Sequence, residues 1–192
     1  MPRKNALGAA LVALVALGIG GPPASAAATP GTSAKPGKPV PGVAPAGADK
    51  TAVYLDMAGR IIPAAGRPAA APQTARFRCT PVSGRDNPHR SGTGVAVSGH
   101  GWWDKGTCSN DRAKVYNCLY EYYTDNSWRQ KACSPRKELK PGGGSSNRTV
   151  ARHDCADTLR TSWRNHVDVN VIGQIDTPEK PMNGAVVDCR VY

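Results

Sequence analysis

Residues 162–173 read Ser-Trp-Arg-Asn-His-Val-Asp-Val-Asn-Val-Ile-Gly, with Trp163, Val167, Val169 and Val171 on one parity and Arg164, His166, Asp168 and Asn170 on the other. Side chains alternate across a strand, so this period of two predicts an antiparallel strand with one buried face. Residues 185–192, Ala-Val-Val-Asp-Cys-Arg-Val-Tyr, repeat the pattern. Val187, Cys189 and Val191 point inward there, Asp188 and Arg190 outward, and Cys189 is placed to bridge a neighbouring strand through the core.

Residues 115–133, Val-Tyr-Asn-Cys-Leu-Tyr-Glu-Tyr-Tyr-Thr-Asp-Asn-Ser-Trp-Arg-Gln-Lys-Ala-Cys, read as a hairpin. A turn at Thr124-Asp125-Asn126-Ser127 sets Tyr123 opposite Trp128, Glu121 opposite Gln130, Leu119 opposite Ala132 and Cys118 opposite Cys133. A two-residue loop puts the cysteine pair at a hydrogen-bonded site, and a four-residue loop puts it at a closer, non-hydrogen-bonded one. A direct bridge favours the longer loop, although each cysteine could equally bridge to another sheet. Val115, Leu119, Tyr123, Trp128 and Ala132, with Asn117, Glu121 and Gln130, form the face assigned to the core. Tyr116, Cys118, Tyr120, Tyr122, Arg129, Lys131 and Cys133 form a partly exposed face. Its tyrosines suit stacking on sugar rings or bases and its cations suit anionic groups, so Tyr116, Tyr120, Tyr122, Arg129 and Lys131 are the candidate binding residues. Tyrosine is also a favoured strand residue whatever the function.

Outward from these stretches, short β-branched and aromatic runs are separated by turn clusters at 83–88, 140–147 and 176–181. Strands are expected at about 94–103, 113–123, 127–134, 148–155, 161–173 and 184–191, with a further one at 74–79. No run keeps a helical apolar period for three turns. Residues 76–192 are therefore expected to form one all-β domain, an antiparallel β-sandwich, immunoglobulin-like or similar. Six cysteines, Cys79, Cys108, Cys118, Cys133, Cys155 and Cys189, imply up to three bridges of undetermined connectivity. Their shortest spacing, ten residues between Cys108 and Cys118, argues against a cysteine-ligated zinc site. No metal or other cofactor is expected.

Residues 1–26 combine Arg3 and Lys4, an apolar run and the small-residue site Ala24-Ser25-Ala26, which is the pattern of a cleaved secretory signal. No later stretch is long and apolar enough to span a membrane, so a secreted, extracellular protein is expected. Residues 27–75 are dominated by Ala, Pro and Gly and read as a disordered linker, interrupted by the apolar island Thr-Ala-Val-Tyr-Leu-Asp-Met-Ala-Gly-Arg-Ile-Ile at 51–62. The island is either a pro-segment remnant or a short element docking on the domain. The formal net charge of +11 makes an anionic extracellular polymer or glycan the expected partner.

Signals for catalysis are thin. Gly-x-Ser-x-Gly, His-Glu-x-x-His and the phosphate-binding Gly-x-x-x-x-Gly-Lys-Ser/Thr pattern are absent. His153 beside Asp154, and His166 two residues before Asp168 with Arg164 on the same face, could serve a small basic hydrolase such as a nuclease. A histidine would shuttle the proton and Arg164 would stabilise developing negative charge. Neighbours two apart on any strand share a face, so the pairing alone requires no chemistry. The favoured reading is a secreted binding or structural module without enzymatic activity. A secreted inhibitor or antimicrobial protein acting through loop 140–147 is a further alternative.

Trp102-Trp103-Asp104-Lys105-Gly106-Thr107-Cys108, the Tyr122–Arg129 hairpin, Pro141–Arg148, Ser162-Trp163-Arg164 and Val167-Asp168-Val169 together resemble small secreted proteins of high-GC actinobacteria. The resemblance spans about residues 95–192. It implies secretion and a β-sandwich, and it brings no activity or catalytic residue.

Overall fold

A computed structural model describes residues 37–62, 79–174 and 181–192. The expected signal segment at 1–26, most of the expected strand at 74–79 and most of the turn cluster at 176–181 lie outside the described residues. Eleven strands and one 3-10 turn, Ala48–Lys50, make up the regular structure of the described residues: β1 Val53–Leu55, β2 Ile61–Ile62, β3 Val82–Arg85, β4 His89–Arg90, β5 Ala96–Asp104, β6 Ala113–Tyr123, β7 Ser127–Cys133, β8 Lys137–Leu139, β9 Thr149–Asp154, β10 Asp157–Val171 and β11 Met182–Arg190. No helix among the described residues is long and apolar enough to cross a membrane.

The strands form two sheets. The seven-stranded sheet runs β11-β10-β6-β7-β1-β2, with β8 beside the first part of β6. The four-stranded sheet has β5 at its centre, β3 and β4 on one side and β9 on the other. All pairings are antiparallel except β1 with β7, which is parallel.

Two apolar clusters lie between the sheets. Trp103 meets Val115, Val167 and Val169 in one, and Val97 and Ala151 meet Leu119, Trp163 and Val187 in the other. Both buried indoles find backbone acceptors, Trp103 Nε1 donating to Leu139 O at 3.1 Å and Trp163 Nε1 to Cys189 O at 2.8 Å. The alternation of β10 and β11 is thus an inward face of the predicted residues.

All six cysteines are paired. Cys79–Cys108 closes the loops flanking β3 and β5, and Cys155–Cys189 ties the end of β9 to β11, joining the two sheets. Cys118–Cys133 bridges directly across the hairpin, with Cα atoms 4.1 Å apart. Bridges of this kind persist in oxidising compartments.

Two sequence expectations change here. The hairpin loop is neither two nor four residues. Tyr123 pairs with Ser127, leaving a three-residue loop in which Asn126 takes a left-handed conformation, φ 64°. The register then shifts between Leu119 and Tyr120, so Leu119 still faces Ala132 but Tyr120 faces Gln130 and Tyr122 faces Trp128. Lys131 is the extra residue of a bulge. Trp128 therefore leaves the core face and joins the tyrosines, while Arg129 moves opposite Glu121. Ser83, Gly84 and Arg85, read as part of a turn, form strand β3 because they pair with Trp103, Trp102 and Gly101.

The second change concerns the arm. Its described part, 37–62, is fixed on the seven-stranded sheet rather than disordered. Past the last β6–β10 pair, Glu121 with Trp163, Gly42 inserts between the two strands, donating to Tyr122 O at 3.0 Å and accepting from Ser162 N at 3.1 Å. Residues 44–52 then cross the outer face, and the island adds β1 to the sheet edge, Tyr54 pairing with Trp128. Ala48 and Tyr54 bury Cys118, Tyr120, Tyr122 and Trp128. The seven-stranded sheet is consequently covered on both faces along this stretch.

Candidate functional site

The anticipated binding face is not assembled as a surface. Tyr120 and Tyr122 are buried beneath the arm, with Tyr54 edge-on to Tyr120 at 5.4 Å and Trp128 edge-on to Tyr122 at 5.3 Å. Burial raises the Tyr120 and Tyr54 hydroxyls above the ordinary phenol range. The bulge sends Arg129 and Lys131 elsewhere. Arg129 lies 3.9 Å from the Tyr123 ring centre and pairs with Asp125 at 2.6 Å, and Lys131 donates to the Tyr123 hydroxyl at 2.7 Å. Tyr116 alone of the anticipated tyrosines stays partly accessible, with the Arg136 guanidinium 4.4 Å above its ring. Arg136 also contacts Asp168 at 3.4 Å.

Of the hydrolase candidates, His153 is apart from the other two. His153 is on β9 in the four-stranded sheet, its Nδ1 2.9 Å from Asp154 O. His166 and Arg164 share the outer face of β10 in the other sheet. Arg164, only 18% exposed, is committed to the arm: it pairs with Asp49, donates to the Tyr54 hydroxyl at 2.9 Å and stacks on Trp128 at 4.6 Å. These contacts make it a clamp on the arm. His166 sits against the Tyr120 ring at 5.8 Å.

A different constellation occupies the outer face of the four-stranded sheet. The turn after β3 brings Asp86 to β5, where Oδ1 accepts from the His100 backbone N–H at 2.7 Å and Oδ2 meets His100 Nδ1 at 2.5 Å. β4 runs beside β5 with His89 opposite Ser98. The His89 ring consequently stacks on that of His100, centres 5.4 Å apart, with its Nδ1 3.8 Å from Asp86 Oδ2. His100 is 13% exposed and His89 44%.

Beneath this cluster lies a buried polar chain. Thr149 Oγ1 donates to Asn117 Oδ1 at 2.8 Å, Asn117 Nδ2 to Asn165 Oδ1 and Gly99 O, both at 2.9 Å, and Asn165 Nδ2 to His100 O at 2.8 Å and Asp86 O at 3.1 Å. The chain exists because β5 carries glycine where it crosses. A Cβ on Gly99 would stand 2.8 Å from Asn165 Cγ, and one on Gly101 3.0 Å from Thr149 Oγ1.

Sequence reasoning singled out neither His89 nor His100. The available signal was Ser98-Gly99-His100-Gly101, since glycines inside a strand mark close backbone approach. No protein-family model matches the chain, and no similar sequence is found among curated proteins.

Proposed function

We propose that the chain is a secreted, non-enzymatic module that binds an anionic extracellular polymer or glycan, its sandwich being of the immunoglobulin-like kind. The observation that carries this reading is the edge of the seven-stranded sheet at β8. There Arg136, Lys137 and Lys140 are exposed, Lys114 is exposed beside them, and Glu138 is the one acidic residue in the run. Tyr116 lies next to that edge under Arg136, so the aromatic and cationic character first expected of the hairpin is found here instead. Edge strands also carry lysine to prevent sheet-to-sheet pairing, so charge at this position supports binding only together with a ligand response. The net charge, +11 for the full sequence and +9 without Arg3 and Lys4 of the signal segment (23 basic minus 14 acidic residues), adds long-range attraction to the same partner.

Co-sedimentation of the mature protein with cell wall, acidic glycan and nucleic acid at two salt concentrations tests the reading, with each polymer assayed for chain cleavage in parallel. Binding that weakens with salt is expected. Lys137→Glu with Lys140→Glu should lower the log–log salt slope by about two, as expected when two ionic contacts are lost. Equal binding by wild type and the double variant would defeat the proposal, and cleavage of a polymer would replace it with a hydrolase.

A further inference from the structure

We infer that Asp86, His89 and His100 form a binding site for a divalent transition-metal cation of the zinc type. One donor atom from each residue lies within 4.8 Å of the donors of the other two. A tetrahedral ion with bonds of 2.0–2.1 Å holds its ligand atoms ~3.3 Å apart. The measured separations straddle that value: Asp86 Oδ2 is 2.5 Å from His100 Nδ1 and 3.8 Å from His89 Nδ1. A shortening of the Asp86–His89 contact and a small opening of the Asp86–His100 contact would bring both to that value.

In that change the ion takes the place of the Nδ1 proton of each imidazole: each Nδ1 proton leaves to solvent and Nε2 takes one up, so both rings ligate as neutral Nε2–H tautomers, and His89 gives up its contact with Asn87 O, now 2.9 Å. Imidazole and carboxylate are the ligands that zinc, cobalt and nickel accept in common. The exposed side of His89 leaves the fourth position to water.

Two features separate this cluster from a chance meeting of polar side chains. The Asp86 carboxylate is aimed before any ion arrives, because the His100 backbone N–H fixes Oδ1 at 2.7 Å and Asn165 holds the Asp86 carbonyl from below. Outer-shell contacts of this kind orient ligands and raise affinity. In addition, the three ligands come from a turn and two paired strands, so sheet formation itself sets their spacing. An ordinary His–Asp pair pinning the turn to β5 would require only Asp86 and His100. The stacked His89 supplies the third donor.

The test uses the untagged mature chain with disulfides intact, titrated with Co2+ and followed by visible absorption, and dialysed against Zn2+ with metal analysis. The expected result is one equivalent per chain, a Co2+ spectrum of low-symmetry four-coordinate type, and displacement of Co2+ by Zn2+. His89→Gln changes an exposed side chain and should fold normally, which near-UV circular dichroism checks; with a direct ligand lost, binding should weaken by at least the roughly 10–100-fold that loss of an outer-shell partner costs. His100→Gln should do the same, and His153→Gln should bind as wild type. Absence of bound metal in the wild type, or affinity unchanged in His89→Gln, overturns the inference.

Discussion

Glu121 is a buried acid whose protonation should set the pH dependence of stability. Its side chain is fully buried between β10, β7 and the end of β11. Oε1 accepts from Val191 N at 2.7 Å, and Oε2 has only the Lys131 ammonium, 3.5 Å away. Burial dominates: it pushes the carboxyl from its ordinary 4.5 up to about 7, against the smaller opposing pull of the Val191 N–H, Lys131 and Arg190. Between those two values the folded chain keeps a proton that the unfolded chain has released, so the contribution of this group to stability is fully present below about pH 4.5 and is lost as the pH rises through about 7. The interval corresponds to about 3 kcal/mol, at 1.36 kcal/mol per unit.

Glu121→Gln removes the titration while keeping an oxygen for Val191 N. The assay is thermal unfolding of wild type and variant from pH 4 to pH 8, disulfides intact, taking the difference in Tm at each pH so that unrelated groups cancel. The variant should match wild type near pH 4 and exceed it by about 6–12 °C at pH 8, the shift expected of such a free energy in a chain of this size. A difference that stays flat from pH 4 to pH 8 would refute the argument and assign the carboxylate an ionised, paired state with Lys131.

Two further outcomes follow from the packing. Arg164→Ala leaves Asp49 without its ion pair and the Tyr54 hydroxyl without its donor; it should cost about 2 kcal/mol and speed amide exchange in residues 40–55 while β5 and β9 stay protected, and unchanged exchange in the arm would show that the clamp is dispensable. Gly99→Ala places a Cβ 2.8 Å from Asn165 Cγ, where a buried amide with four contacts cannot yield, and should cost about 1–3 kcal/mol in denaturant unfolding, whereas Gly144→Ala, which meets nothing within 4 Å, should be neutral on the same measurement.

What could be read beforehand followed burial geometry. β6 occupies its predicted residues and β10 and β11 lie close to theirs, because each presents one apolar face to one core and period-two alternation records that directly. The face of the hairpin could not be settled the same way. Its outer side is as aromatic as its inner side, and the choice depended on a bulge at Lys131 and on a left-handed Asn126, which shift register by one without altering composition. Nor does the arm announce its docking. It is held by backbone groups at Val40, Gly42 and β1, by Tyr54 and by the Asp49–Arg164 pair, so a segment rich in Ala, Pro and Gly carries little side-chain signal of the contact. Strands of two to four residues, β1 to β4 and β8, are strands because a neighbour pairs with them, and no internal pattern could mark them.

The Asp86 cluster was hidden for a related reason, and the buried amides explain why it is nonetheless well placed. Asn117 and Asn165 are fully buried on the inward faces of β6 and β10, where the periodicity calls for apolar residues. They satisfy their amides against one another, Thr149 on β9, the Gly99 and His100 carbonyls on β5 and, for Asn165, Asp86. A one-residue slip of any of these four strands would leave an amide unpaired in the core, at a cost of about 1–3 kcal/mol per group. A slip by two residues would keep the apolar faces inward, so burial, which is not directional, resists it less, whereas the amide contacts are lost at any slip. The polar chain therefore fixes the register of both sheets at one point, and its last link, Asn165 to the Asp86 carbonyl, carries that register out to the surface. The three donors stand within 4.8 Å of one another as a result of that indexing. A core made only of valine and leucine could pack the same strands without bringing His89, His100 and Asp86 into line.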